Sequence, residues 1–83
     1  MNIIIKQIEL IQRIDRLIRM QATGPAEDLS YRLGVSKTKL YRTINVMKEL
    51  DAPIVYDFKA QSFVYEKAVG FRVGFFDKKQ VSA

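Results

Sequence analysis

The stretch LSYRLGVSKTKLYRTINVMKEL, Leu29 to Leu50, decides how the chain is read. Two short segments with apolar residues at helical spacing are joined by only Gly34, Val35 and Ser36. Gly34 stands where a helix C-terminus favours a residue that can take a left-handed conformation, and Ser36 is a good N-cap for the helix that follows. That helix is expected from Lys37 to about Leu50, with Leu40, Ile44, Met47 and Leu50 as its apolar stripe. The stripe leaves Lys37, Thr38, Lys39, Tyr41, Arg42, Asn45 and Lys48 on the polar side. Such a side is either a solvated face or a surface shaped to meet something anionic.

Working outward toward the N-terminus, Ile4, Ile8, Leu10, Ile11, Ile14, Leu17 and Ile18 recur at helical spacing between Ile3 and Met20. Glu9, Arg13, Arg16 and Arg19 occupy the other side of this first helix. Gly24 and Pro25 then punctuate the chain. Pro25 suits the first turn of a new helix, and Glu27 is favourably placed near that helix's N-terminal dipole, so a short second helix is expected from Pro25 to Leu33. Leu29, Leu33 and Val35 can cover Leu40 and Ile44, with small Ser30 permitting close approach of the two helices.

After Pro53 the period changes from helical to alternating. IVYDF places Ile54, Tyr56 and Phe58 on one face and SFVYE adds Phe63 and Tyr65, with Lys59, Ala60 and Gln61 between the two runs. β-branched and aromatic residues throughout make this a β-hairpin. FRVGFF, Phe71 to Phe76, alternates in the same way and is a candidate third strand, weakened by Gly74 within it and Gly70 just before it. The polar end DKKQVSA is expected to fray. The organisation is thus one domain over 1–76 and a flexible tail over 77–83, of α+β class with three helices and a C-terminal hairpin.

Composition narrows the chemistry. Over 83 residues there are no cysteines and no histidines, which removes disulfides, thiolate zinc sites, cysteine nucleophiles, the commonest metal ligand and the commonest general base. Asp15, Glu27, Asp28, Glu49 and Asp51 are scattered over different elements, and no carboxylate pair is placed for acid–base work. The expectation is a non-enzyme without metal or cofactor. A formal charge of +5 and a pI near 9.7 favour an anionic partner such as nucleic acid or a membrane surface. No apolar run approaches the roughly 18 residues of a membrane span, and MNIIIKQIEL does not present a signal-peptide core, so a cytoplasmic location is expected.

Helix, helix, a three-residue turn containing Gly, helix and hairpin is the order of a winged helix-turn-helix. From about Ile11 to Glu66 the chain resembles the N-terminal winged helix-turn-helix domains of bacterial repressors of the DeoR-like and biotin-repressor-like kind. The strongest part is LGVSKTKLYRTI, where such domains read Leu-Gly-Val-Ser, two or three polar residues, an apolar residue and Tyr-Arg. The resemblance implies a DNA-binding unit of a transcriptional regulator whose third helix enters the major groove. The chain departs from the pattern at Asp51, where a Gly commonly follows that helix, and at FKAQS, a short hairpin tip without Gly whose only charge is Lys59. In such repressors an effector domain usually follows, so a stand-alone unit is expected here.

The residues supply reasons of their own. Lys37 and Lys39 sit in the first turn of the third helix, where the macrodipole disfavours cations by roughly 0.3–1 kcal/mol each, and Ser36 is not followed by the acid of a capping box. A phosphate docked there would supply the missing negative charge. Thr38, Arg42 and Asn45 lie where a major-groove helix reaches base edges, Arg42 with the fork for guanine and Asn45 with the amide for adenine. Ser36, Lys37, Lys39, Tyr41, Lys48 and, at the hairpin tip, Lys59 are the expected phosphate contacts. Tyr41 can equally lay its ring over the edge of the core. The apolar arc of the first helix covers about half its circumference, wider than one core requires, so a homodimer burying Ile4, Ile8 and Ile11 is expected. The competing reading is a protein-interaction module of the same shape, contacting partners through the first helix and the tail strand.

Overall fold

The computed structural model describes residues 2–76. The expected tail, 77–83, lies outside them. The order is α1 (Ile3–Arg19), α2 (Ala26–Leu33), α3 (Lys37–Glu49), β1 (Ile54–Asp57) and β2 (Ser62–Tyr65), with the strands paired as an antiparallel hairpin. The chain is a small α+β domain. None of its described helices is long and apolar enough to cross a membrane.

All three helices end in the same way. The αL residues are Gln21, Gly34 and Asp51, with φ of 52°, 70° and 73°. In each case the next residue's N–H reaches back across the last turn: Ala22 to the Leu17 carbonyl, Val35 to that of Ser30 and Ala52 to that of Met47, at 2.9–3.0 Å. This pattern satisfies carbonyls that would otherwise be orphaned at the helix end. Only α2 meets it with glycine, and Asp51 takes the left-handed conformation in glycine's place. Pro25 turns out to be the N-cap of α2, not its first helical residue, because its ψ of 162° is extended.

The core draws on every element. Leu10, Ile11, Ile14 and Ile18 of α1 meet Leu29 and Leu33 of α2, Leu40, Ile44 and Met47 of α3, and Ile54 and Phe63 of the hairpin. Leu50, expected in the α3 stripe, is 60% exposed, because the chain has already left the helix for the Asp51 turn. The buried side of α3 also includes Thr43, which donates from Oγ1 to the Lys39 carbonyl at 2.9 Å, so its hydroxyl is not orphaned.

The hairpin pairs Ile54 with Tyr65 and Asp57 with Ser62, leaving residues 58–61 as the loop. Asp57 Oδ1 accepts from the N–H groups of Lys59 and Ala60, and Gln61 closes the loop at a φ of 50°. Phe58, expected on the inner strand face with Tyr56, belongs to this loop and is 83% exposed, with only its edge contact to the Tyr56 ring. The expected third strand over Phe71–Phe76 does not form. Gly74 sits at a φ of 117°, which breaks the extended run, and the segment pairs with neither strand. Phe71 alone turns back against the core.

Two polar links seat the hairpin on the helices. The first is buried. The Thr23 N–H donates to Ser62 Oγ at 3.2 Å, the Phe63 N–H donates to Thr23 Oγ1 at 2.8 Å, and the two hydroxyls lie 3.0 Å apart. Each hydroxyl has one hydrogen, so either Thr23 donates to Ser62, which donates to the Phe63 carbonyl, or Ser62 donates to Thr23, which donates to the Gly24 carbonyl. Both arrangements satisfy the two hydroxyls and the two N–H groups, and they differ in which carbonyl, Phe63 or Gly24, receives the remaining hydrogen. In the second link the Tyr65 hydroxyl donates to Asp15 Oδ1 at 2.6 Å, while Arg19 donates to Asp15 Oδ2 at 3.0 Å and lies over the Tyr65 ring. Burial first, and then this hydrogen bond, hold the Tyr65 phenol well above its ordinary pKa. The Asp15 hydrogen bond likewise raises the Arg19 guanidinium.

Thr23→Val keeps the shape but orphans the Phe63 N–H and removes the hydroxyl partner of Ser62, and chemical denaturation should record a loss of about 1–3 kcal/mol. Tyr65→Phe should cost about 1 kcal/mol at neutral pH. Because the folded state raises the phenol pKa, the wild-type advantage is fully present below the unfolded value of about 10 and declines as pH rises beyond it. Unfolding curves of both proteins at pH 7, 9 and 11 check this, and a gap that widens above pH 10 contradicts it.

Candidate nucleic-acid interface

α3 is placed by its neighbours. The Gly34 turn reverses the chain, Ser36 Oγ accepts the Lys39 N–H at 3.1 Å, and Leu40, Ile44 and Met47 fix which side faces in. At about 100° per residue, Thr38, Arg42, Asn45 and Glu49 then fall within an arc of about 60° opposite the core. All four are exposed. Of the expected base contacts, the three therefore share one outward face. Glu49 stands on the same face toward the C-terminal end, and its helical spacing from Asn45 and Arg42 is the one sequence signal that points to it.

The expected phosphate contacts divide by side. Lys37, Tyr41 and Lys48 lie on one flank of the helix, and Lys39 lies on the other, facing α1. Tyr41 is 49% exposed, so about half of its surface is covered and half is open to a partner. No acid occupies the first turn of α3. The nearest counter-charge is Glu27 of α2, whose carboxylate is 3.9 Å from Lys37 Nζ, a long pair between two exposed side chains. An exposed pair of this kind contributes little and exchanges readily for another anion. Ser36 uses its oxygen as the cap acceptor and retains its hydrogen to donate outward. Lys59 is exposed at the hairpin tip, away from α3 in sequence and held there by the Asp57 turn.

At its N-terminal end α1 extends beyond the core. Its first buried residue is Leu10, and the preceding turns, capped by Asn2 through the N–H groups of Ile4 and Ile5, carry Ile3, Ile4 and Ile5 exposed. Of the expected dimer contacts Ile4 is 69% exposed and Ile8 is half-buried, whereas Ile11 is 3% exposed and already belongs to the core. Ile11 cannot reach a second chain in this fold. The wide apolar arc read from the sequence spans two surfaces, and where α1 leaves the other elements decides where one ends and the other begins.

No protein-family model matches the chain, and neither a curated protein nor a solved structure matches it.

Proposed function

We propose that the chain is a winged helix-turn-helix protein that binds double-stranded DNA and regulates transcription in a bacterial cytoplasm, with α3 in the major groove. The observation that carries the reading is the outward arc of Thr38, Arg42 and Asn45, flanked on both sides by cations and preceded by a helix start without acids. Major-groove readers need that division: side chains with directed donors and acceptors at the centre, and point charges where the phosphates run. Arg42 takes guanine, Asn45 takes adenine, and Thr38 adds a hydroxyl or methyl contact. Ser36, Lys37, Lys39, Tyr41, Lys48 and Lys59 hold the backbone. Glu49, at the end of the arc, either accepts from a cytosine amine or excludes the phosphates of a misaligned register.

The active unit is a dimer in this proposal. Ile3, Ile4, Ile5 and Ile8 form an apolar tip that a second copy would cover, and a two-fold pair of α3 helices would read two half-sites about one DNA turn apart. The same tip, together with the exposed Val73, Phe75 and Phe76, favours one other reading, a protein-interaction module of this shape. A salt-dependent affinity for duplex DNA separates the two.

Selection of bound sequences from random duplexes at physiological salt tests the function directly, and recovery of no preferred site from a chain that binds all duplexes alike would reduce it to a generic basic domain. On the selected site Arg42→Ala should cost about 1–3 kcal/mol and relax the preference at one position, while Lys37→Ala should weaken all sequences equally and lower the salt slope by about one. Circular dichroism checks that both variants fold. Ile4→Glu should leave the melting temperature nearly unchanged and give a monomer in sedimentation where the wild type is a dimer. A wild type that sediments as a monomer well above the concentrations of DNA binding removes the dimer.

A further inference from the structure

Between α1 and the turn that joins α2 to α3 runs an open groove of about 630 Å³, and it is basic. Lys6, Arg13 and Arg16 of α1 line one side, Lys39 of α3 stands at the other, and Glu9 is the single acid. The ion pairs among the described residues are Arg19 with Asp15 and Lys37 with Glu27, so none of these four cations pairs with a described carboxylate. A face kept for solubility alone mixes the signs of its charges. Four exposed cations against one acid, drawn from two elements, leave a standing positive field.

We propose that this groove is a second track for the DNA phosphate backbone, engaged by Lys6, Arg13 and Arg16 of α1 in continuation of Lys39. The proposal rests on the DNA-binding reading and extends it to a helix that carries no base-reading residue. Three features decide the occupant. Lys39 belongs both to the groove and to the α1-side flank of α3, so a strand held at that flank continues along α1, while Lys37, Tyr41 and Lys48 serve the strand on the opposite flank. The α1 cations lie within about 15 Å of helix, a length that spans consecutive phosphates on one strand. Leu10 and Leu33 on the floor are already buried in the core, which leaves exposed Ile3 and half-buried Val35 as the groove's accessible apolar contacts, fewer than the repeated series by which an acidic amphipathic helix anchors. A continuous polyanion fits; an acidic peptide segment has little to grip.

The test compares the full chain with the triple variant Lys6→Gln, Arg13→Gln, Arg16→Gln, measuring affinity for a duplex across a range of salt concentrations by fluorescence anisotropy. The slope of log K against log salt should fall by about 2–3, because each lost phosphate contact removes about 0.9, and the preferred sequence should not change. A charge-conserving variant, Lys6→Arg, Arg13→Lys, Arg16→Lys, should keep the wild-type slope. An unaltered slope in a triple variant that melts like the wild type overturns the proposal and leaves the DNA-binding reading standing. Absence of any duplex affinity in the wild type removes that reading itself, and the track with it. Polyglutamate serves as a second probe: if it binds the wild type but not the triple variant while the DNA slope is unchanged, the groove takes an acidic protein segment, and the phosphate track is overturned.

Discussion

A two-stranded hairpin is at best marginally stable in water, so everything that follows α3 depends on how β2 is tied to the helices. The Thr23 and Ser62 hydroxyls do this from inside. They are fully buried, they exchange bonds with each other and with the Thr23 and Phe63 N–H groups, and they join the α1–α2 connection to the start of β2 across 39 positions of sequence. Buried polar groups are costly unless every partner is present. Here they are present, so the pair defines one seating for the hairpin where apolar contacts from Ile54 and Phe63 alone would allow sliding. Tyr65 and Asp15 add a second tie one strand length away, which fixes the hairpin's direction as well as its position.

With the hairpin fixed, α3 is held on three sides: by α2 through the Gly34 turn, by α1 through the shared core, and by the chain that returns to β1 through the Asp51 turn. Its outward face is then what the other elements leave uncovered. Helical spacing gathers the proposed reading residues into one arc, and packing decides that this arc faces outward and that its flanks differ. One flank looks toward α2 and Glu27, the other toward the cations of α1. The rigid part of the molecule positions the charges; the charges themselves contribute almost nothing to its stability.

The helices and the hairpin were legible because each carries its period on its surface: 3.6 residues in α1 and α3, two residues after Pro53, with Gly34 and Pro25 marking the joints. The readings that did not hold share a cause. Leu50, Phe58 and the Phe71–Phe76 run are apolar residues whose sequence spacing matched an element that the backbone had already left, through an αL residue at Asp51, a four-residue loop after Asp57 and a glycine at Gly74. Periodicity does not record where a chain turns when the turn is made by Asp or Gln. The buried Thr23, Thr43 and Ser62 were invisible for the complementary reason, since a small polar residue looks exposed until its hydrogen-bond partner, distant in sequence, is known.

The candidate site divides in the same way. That one face of the Lys37–Leu50 segment is polar and basic and holds Thr38, Arg42 and Asn45 together follows from residue order, because residues three and four apart on a helix share a side. Only the tertiary structure decided that Lys39 parts company with Lys37 and Lys48 to join α1, that Ile11 is core while Ile4 is surface, and that Lys6, Arg13 and Arg16 border a groove. Those outcomes depend on where separate elements meet. A helix fixes the direction of its own side chains, and packing alone fixes what they face.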